Sequence, residues 1–229
     1  MHNLHSGPNT RELGPGPTLI VFSVAAGLFL VIALAITLST PLTEVDAKAE
    51  MWLHIRATPL VSNAMAAVSF LGAPTTLTIV AVAGSLLLLY RRRRSEAATL
   101  STVVLGGNFL NFCLKHLIQR GRPVFDDPIF SLPTYSFPSG HAMASTVFYG
   151  LLSIYALAHA RQRYTAYIAA AAAVFMVALV SFSRVYLGLH YLSDITGGIA
   201  EGIAWLAFCF GALHYIRRGE SSMGVDADS

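Results

Sequence analysis

Three short stretches of this chain hold residue types suited to moving a phosphoryl group. The first carries Lys115 and, seven positions on, Arg122-Pro123; the second is Pro138-Ser139-Gly140-His141; the third runs from Ser183-Arg184 to His190 and Asp194. Lys115, Arg122 and Arg184 can neutralise the oxygens of a phosphoryl group, and each Arg fork can bind two of them at once. Pro138-Ser139-Gly140 leads into a predicted helix, whose first N–H groups point at whatever anion sits there. Gly140 allows close backbone approach, and the Ser139 hydroxyl can cap the helix or donate to phosphate. His190 and Asp194 are spaced i, i+4 and share one helical face. Asp194 can accept from one imidazole nitrogen and leave the other as a nucleophile. His141 is then the natural proton donor to a leaving oxygen.

The elements that must position these residues are membrane helices. Of 229 residues, 55% are hydrophobic and only 12% charged, about half the charged fraction of ordinary soluble domains. So much apolar surface has to face lipid. Residues 1–17 read as a disordered polar tail and 18–40 as a span. The apolar region of a cleavable secretory leader runs only about 7–15 residues, so this longer run is taken as retained. Residues 41–57 read as an interfacial segment. The stretch 58–90 is broken at Gly72-Ala73-Pro74, giving a short helix over 58–72 and a span over 74–90. Further spans are expected at about 97–117, 141–160, 164–183 and 191–216, six in all. The domains are therefore a cytoplasmic tail over 1–17, a membrane unit over 18–216 and a solvated tail over 217–229.

Six spans put both termini on one side with the loops at 91–95 and 160–163. That side holds nine of the fifteen Lys and Arg: Arg11, Arg91 to Arg94, Arg161, Arg163, Arg217 and Arg218. By the positive-inside rule it is the cytoplasm, so the three stretches face outward at the cell membrane. Cys113 and Cys209 fall at different depths, on the order of 15–20 Å apart by helical rise, beyond the roughly 7 Å a disulfide spans. They are expected to be free thiols.

Other residues have plainer readings. Arg120 fits none of the three stretches and reads as a solvated or headgroup-facing cation. Asp126 and Asp127 sit beside Pro128 with no further ligands nearby, so no metal is expected there. Asn108 and Asn111 share a face with Lys115 and read as glue between helices. Glu201 is an intramembrane carboxylate that can equally be bonded across the bundle, and is left out of the site. Gly197, Gly198 and Gly202 read as a close-packing face. Phe130, Tyr135, Phe137, Tyr186 and Tyr191 read as an aromatic belt at the outer interface.

Lys115-x6-Arg122-Pro123, Pro138-Ser139-Gly140-His141 and Ser183-Arg184-x5-His190-x3-Asp194 together resemble the three-part signature of the type 2 phosphatidic acid phosphatase (PAP2) superfamily, which includes bacterial membrane lipid phosphatases. The resemblance covers about residues 108–202, and every signature position is matched. It implies an all-α bundle with a core like that of the vanadium haloperoxidases, and a site that uses neither metal nor cofactor. His190 is then the group that attacks phosphorus, His141 the one that protonates the leaving group, and Asp194 the partner of His190. Lys115, Arg122, Ser139, Gly140 and Arg184 hold the phosphate. The haloperoxidases are soluble, so the spans argue against their activity.

The expected function is hydrolysis of a lipid phosphomonoester or diphosphate: undecaprenyl diphosphate, phosphatidylglycerol phosphate or phosphatidic acid. The expected partners are that lipid and the surrounding membrane, with no nucleic acid and no obligate protein. A lipid phosphotransferase would share the chemistry up to the phosphoenzyme. A non-catalytic lipid-phosphate binding or transport protein would need neither the His190–Asp194 pair nor His141.

Overall fold

The computed structural model describes residues 15–125, 134–160 and 162–226, and within them the chain is all α-helical. The helices are α1 (Pro15–Thr37), α2 (Pro41–His54), α3 (Pro59–Leu71), α4 (Pro74–Tyr90), α5 (Arg94–Ile118), α6 (Gly140–His159), α7 (Arg163–Tyr186) and α8 (Leu192–Asp226). Among the described residues six stretches are long and apolar enough to cross a membrane, Pro59–Tyr90 counting as one of them. α2, α3 and α4 each carry proline in the first turn, where its missing N–H costs nothing and its fixed φ suits the helix.

The boundaries differ from the sequence expectation in three places. α1 starts at Pro15, because prolines at 15 and 17 are tolerated in a first turn; residues 1–14 of the expected tail lie outside the described residues. The interfacial segment is a formed helix, α2, that buries Asp46 and Glu50. At the other end α8 continues past Ile216 to Asp226. Arg217-Arg218 ends the apolar stretch without breaking the backbone ladder. The break at Gly72-Ala73-Pro74 falls as expected. A Cβ at Gly72 would collide with Val180 and the Ser145 hydroxyl, so only glycine lets the end of α3 meet α6 and α7.

α6 lies at the centre, packed against α7, α8 and α5, while α1 lies along α8 and α4 along α5. Met143, Val147 and Leu151 of α6 form the main core with Val103 and Val104 of α5, Leu77 of α4 and Leu206 of α8. The glycine face of α8 is where α6 approaches most closely: a Cβ at Gly198 would stand 2.5 Å from the Ser139 carbonyl oxygen. The outer faces of the bundle expose large side chains such as Leu19, Leu30, Phe109 and Phe175, which only lipid can cover. Cys113 is exposed, Cys209 buried, and both are free.

This topology gathers one set of helix ends. The C-terminus of α5, the N-terminus of α6, the C-terminus of α7 and the 187–191 turn into α8 meet at a single end of the bundle, roofed by α2 and α3.

Candidate active site

All three sequence stretches arrive at that end. Lys115, in the last turn of α5, donates from Nζ to the carbonyls of Tyr135 (2.8 Å) and Ser136 (3.3 Å). Gln119 then takes a left-handed conformation that closes α5 and folds the following residues back over the site. Arg122 donates through Nε and NH2 to the Thr134 carbonyl (2.7 Å) and hydroxyl (2.9 Å), and through NH1 to the Leu189 carbonyl. Arg184, on the last turn of α7, is buried and donates to Ser69 Oγ of α3 at 2.6 Å, while its Nε finds no partner among the described residues.

Ser139 is the N-cap of α6, its hydroxyl accepting from Ala142 N at 3.5 Å. This satisfies one of the orphan N–H groups of the first turn and leaves the hydroxyl hydrogen free to donate elsewhere. The Ser139 N–H donates to the backbone carbonyl of Asp194 at 2.9 Å, tying the start of α6 to the start of α8. Gly140 faces Asn111 and Lys115, and a Cβ there would stand 3.2 Å from Asn111 Oδ1. His141, half-buried, lies within reach of the charges of Arg184, Arg122 and Lys115.

His190 is 2% exposed and Asp194 fully buried. His190 Nδ1 faces Asp194 Oδ2 at 3.4 Å, a contact just short of an aligned hydrogen bond. Nε2 lies 3.3 Å from Arg122 NH1. An N–H donor at that distance requires a lone pair on Nε2, which assigns the proton to Nδ1. Burial, reinforced by the charges of Arg122, Lys115 and Arg184, holds the His190 imidazole well below its ordinary pKa, with the Ser136 backbone acting the other way. At neutral pH His190 is therefore an uncharged ring whose Nε2 lone pair faces the cations. Burial also lowers the pKa of Arg122, with Asp194 opposing the shift, but a guanidinium stays charged.

The structure corrects several sequence expectations. Arg120 is no solvated cation: its side chain is 9% exposed and bridges Asp194 (2.6 Å) and Asp46 (2.8 Å). Phe137 is fully buried, Tyr186 accepts from Thr58 N at 3.1 Å, and the Tyr191 ring lies 4.2 Å beneath the Arg120 guanidinium. These rings pack the site end rather than forming a belt, because Tyr186 closes α7 there and the loops that carry Phe137 and Tyr191 fold inward over the helix ends. Phe130, Asp126 and Asp127 lie outside the described residues, among which no cluster of His, Cys, Asp and Glu has the makings of a metal site.

The helix-glue reading of the asparagines holds. Asn108 donates to Thr78 of α4 at 2.8 Å and Asn111 to Glu201 of α8 at 2.7 Å. Sequence reasoning missed Asp46, Glu50 and Ser69. The signal for the first two was the i, i+4 spacing of two carboxylates in a short segment between apolar runs.

Three cations, a helix N-terminus and a neutral imidazole thus surround one point, with a second imidazole beside it. That arrangement can bind a phosphoryl group, attack it and protonate what leaves.

The family model of the PAP2 superfamily matches residues 96–218. Phosphatidylglycerophosphatase B of Bacillus subtilis (strain 168) is 30% identical over 181 residues, which are 76% of this chain and 86% of that protein. Lipid phosphate phosphatase delta of Arabidopsis thaliana is 28% identical over 118 residues, 47% of this chain and 28% of the relative. The crystal structure of a transmembrane PAP2 type phosphatidylglycerolphosphate phosphatase from Bacillus subtilis superposes with a TM-score of 0.74 at 26% identity. The match covers 85% of this chain and 96% of that one.

Proposed function

The chain belongs to the PAP2 superfamily and is a membrane lipid phosphatase, and on that premise we propose that it works through a phosphohistidine on His190. The Nε2 lone pair attacks phosphorus in line with the lipid oxygen. As the P–N bond forms the P–O bond breaks, and His141 gives its proton to the departing alkoxide or phosphate. Water then attacks the phosphohistidine, His141 takes its proton, and the P–N electrons return to Nε2 as inorganic phosphate leaves. Lys115, Arg122, Arg184, the Ser139 hydroxyl and the backbone at Gly140 stabilise the transferring group by preorganised charge. Asp194 holds Nδ1–H and stabilises the imidazolium character that develops during attack.

The observation that carries this reading is the placement of His190 between opposite charges. Nδ1 faces Asp194 at 3.4 Å and Nε2 faces Arg122 at 3.3 Å. For substrate, we favour phosphatidylglycerol phosphate, with phosphatidic acid and undecaprenyl diphosphate as the other members of the class. The support is the relative that shares 86% of its length with this chain. Metal independence follows from the same three cations, which supply the charge neutralisation themselves. The charge asymmetry of the loops supports cytoplasmic termini and an outward site. A C-terminal fluorescent-protein fusion, bright only when the terminus is cytoplasmic, tests that placement.

The decisive assay measures phosphate release by detergent-purified protein and its His190→Ala variant with chelator present. The panel holds the three lipids and a water-soluble phosphate ester. We expect release from phosphatidylglycerol phosphate, undiminished by chelator and lost in the variant. Full activity in the variant, or abolition by chelator, would sink the proposal.

A further inference from the structure

Asp194 is not left alone with His190. Its Oδ1 accepts from Arg120 NH1 at 2.6 Å, while Oδ2 accepts from the Tyr191 N–H at 2.9 Å and faces His190. Arg120 NH2 reaches on to Asp46 Oδ2 at 2.8 Å, and NH1 also donates to Ser193 Oγ at 2.7 Å. Asp46 in turn accepts from the Ser193 N–H at 3.0 Å and from its hydroxyl. The Asp46 and Asp194 side chains are 1% and 0% exposed. α2 therefore reaches the first turn of α8 twice, through the Ser193 backbone and through Arg120.

We propose that Arg120 and Asp46 are positioning residues for phosphoryl transfer: together they fix the Asp194 carboxylate so that Oδ2 is held toward His190 Nδ1. This rests on the reading of His190 as nucleophile and Asp194 as its partner. A carboxylate can turn about its terminal bond, and a turned Asp194 leaves the imidazole free to rotate and Nε2 misaimed. Arg120 occupies one oxygen and thereby leaves the other, anchored by the Tyr191 N–H, to face His190. Asp46 fixes Arg120 in turn, since a guanidinium bound at both ends has one orientation. Only a planar fork reaches both carboxylates; an ammonium in its place would bind as a compact point charge. The arrangement also gives α2, a helix too short and polar to span, a task at the site.

The test uses the full-length protein in detergent with a short-chain lipid phosphate. Wild type, Asp46→Asn, Arg120→Lys and Asp194→Asn are compared, with Asp46→Asn and Arg120→Lys each also combined with Asp194→Asn. Melting temperature is recorded for each, and His190→Ala serves as the inactive control. We expect Asp46→Asn and Arg120→Lys each to lower kcat about tenfold while KM stays within about twofold, the scale of coupling between contacting groups. In the Asp194→Asn background neither should lower kcat further, because the group they act through is already changed. Should Asp46→Asn fail to fold, Arg120→Lys completes the same cycle and decides the matter. Wild-type kcat in both variants, or an equal further loss in the Asp194→Asn background, would make the pair a mere structural brace and overturn the inference. Retained activity in His190→Ala would instead strike at the underlying mechanism, so the two failures read differently.

Discussion

Four cations stand around the His190–Asp194 pair, and the structure treats them in two ways. On the Nε2 side, Lys115 and Arg122 are held mainly by backbone carbonyls of residues 134–136 and 189, and Arg184 by the Ser69 hydroxyl. None of the three has a carboxylate within salt-bridge distance among the described residues. On the Nδ1 side, Arg120 is clamped by two buried carboxylates. A cation held by neutral oxygens keeps its charge available for an anion, whereas one neutralised from both sides has nothing left to offer a ligand. The partners of each cation therefore separate charge that stays available to an anion from charge that is neutralised within the fold. The distinction predicts opposite balances of stability and activity when members of each set are removed.

The largest expected effect is on stability, in Arg120→Met. Removing the guanidinium leaves Asp46 and Asp194 buried and uncompensated, a change that costs about 3–5 kcal/mol. Unfolding in detergent, followed by circular dichroism against denaturant, should show that loss, or the protein should fail to accumulate. A variant as stable as wild type would mean that Arg120 is not what neutralises the two carboxylates, and the contrast between the two sides would collapse.

Arg184→Met should behave in the opposite way. Arg184 is 5% exposed, and among the described residues its one hydrogen-bond partner is a hydroxyl, so its charge is a burden to the fold in the absence of phosphate. Its removal should leave the melting temperature unchanged or raised. Phosphate release should nevertheless fall on the order of a hundredfold to a thousandfold in kcat/KM, the scale for one preorganised donor to a transferring group. A variant that loses stability and activity together would put Arg184 among the architectural cations.

The two sets were unequally legible in the sequence. Lys115, Arg122, Arg184, His141 and His190 lie in short motifs whose internal spacing mirrors helix ends, so residue type and spacing were enough to bring them together. The six spans were legible because lipid demands a long apolar run, and the α3–α4 break because Gly72 and Pro74 mark it. Arg120 and Asp46 were not, since their meaning lies in a contact between residues 74 positions apart, on a segment whose polarity alone suggested a membrane surface. An Arg two positions from Arg122 looks identical in sequence whether it faces water or two carboxylates. Phe137 was misplaced for a related reason: an aromatic next to a helix start reads as an interface anchor until the loop is seen to fold inward over Gly197.

The same contrast between paired and unpaired charge recurs on a smaller scale within α2. Asp46 has Arg120, while among the described residues Glu50, one turn further along and 3% exposed, has no salt-bridge cation and its Oε1 no hydrogen-bond partner. Burial raises the Glu50 pKa to about 7, with nearby His54 pulling the other way. The folded protein thus holds a proton on Glu50 between its ordinary value of 4.5 and about 7, a range in which the unfolded chain has released it. With more protons bound to the native state than to the unfolded one, stability falls as pH rises through that window, by about 1.4 kcal/mol per pH unit at the steepest. Glu50→Gln keeps the shape and removes the titration, so its melting temperature should decline less than that of wild type between pH 5 and 8, and the gap should favour the variant at the alkaline end. Parallel melting curves for the two proteins would show instead that Glu50 ionises in the fold much as it does in water, with a compensating partner after all. Such a partner would move Glu50 into the class of Asp46, and α2 would then present two neutralised carboxylates to the 187–191 turn rather than one.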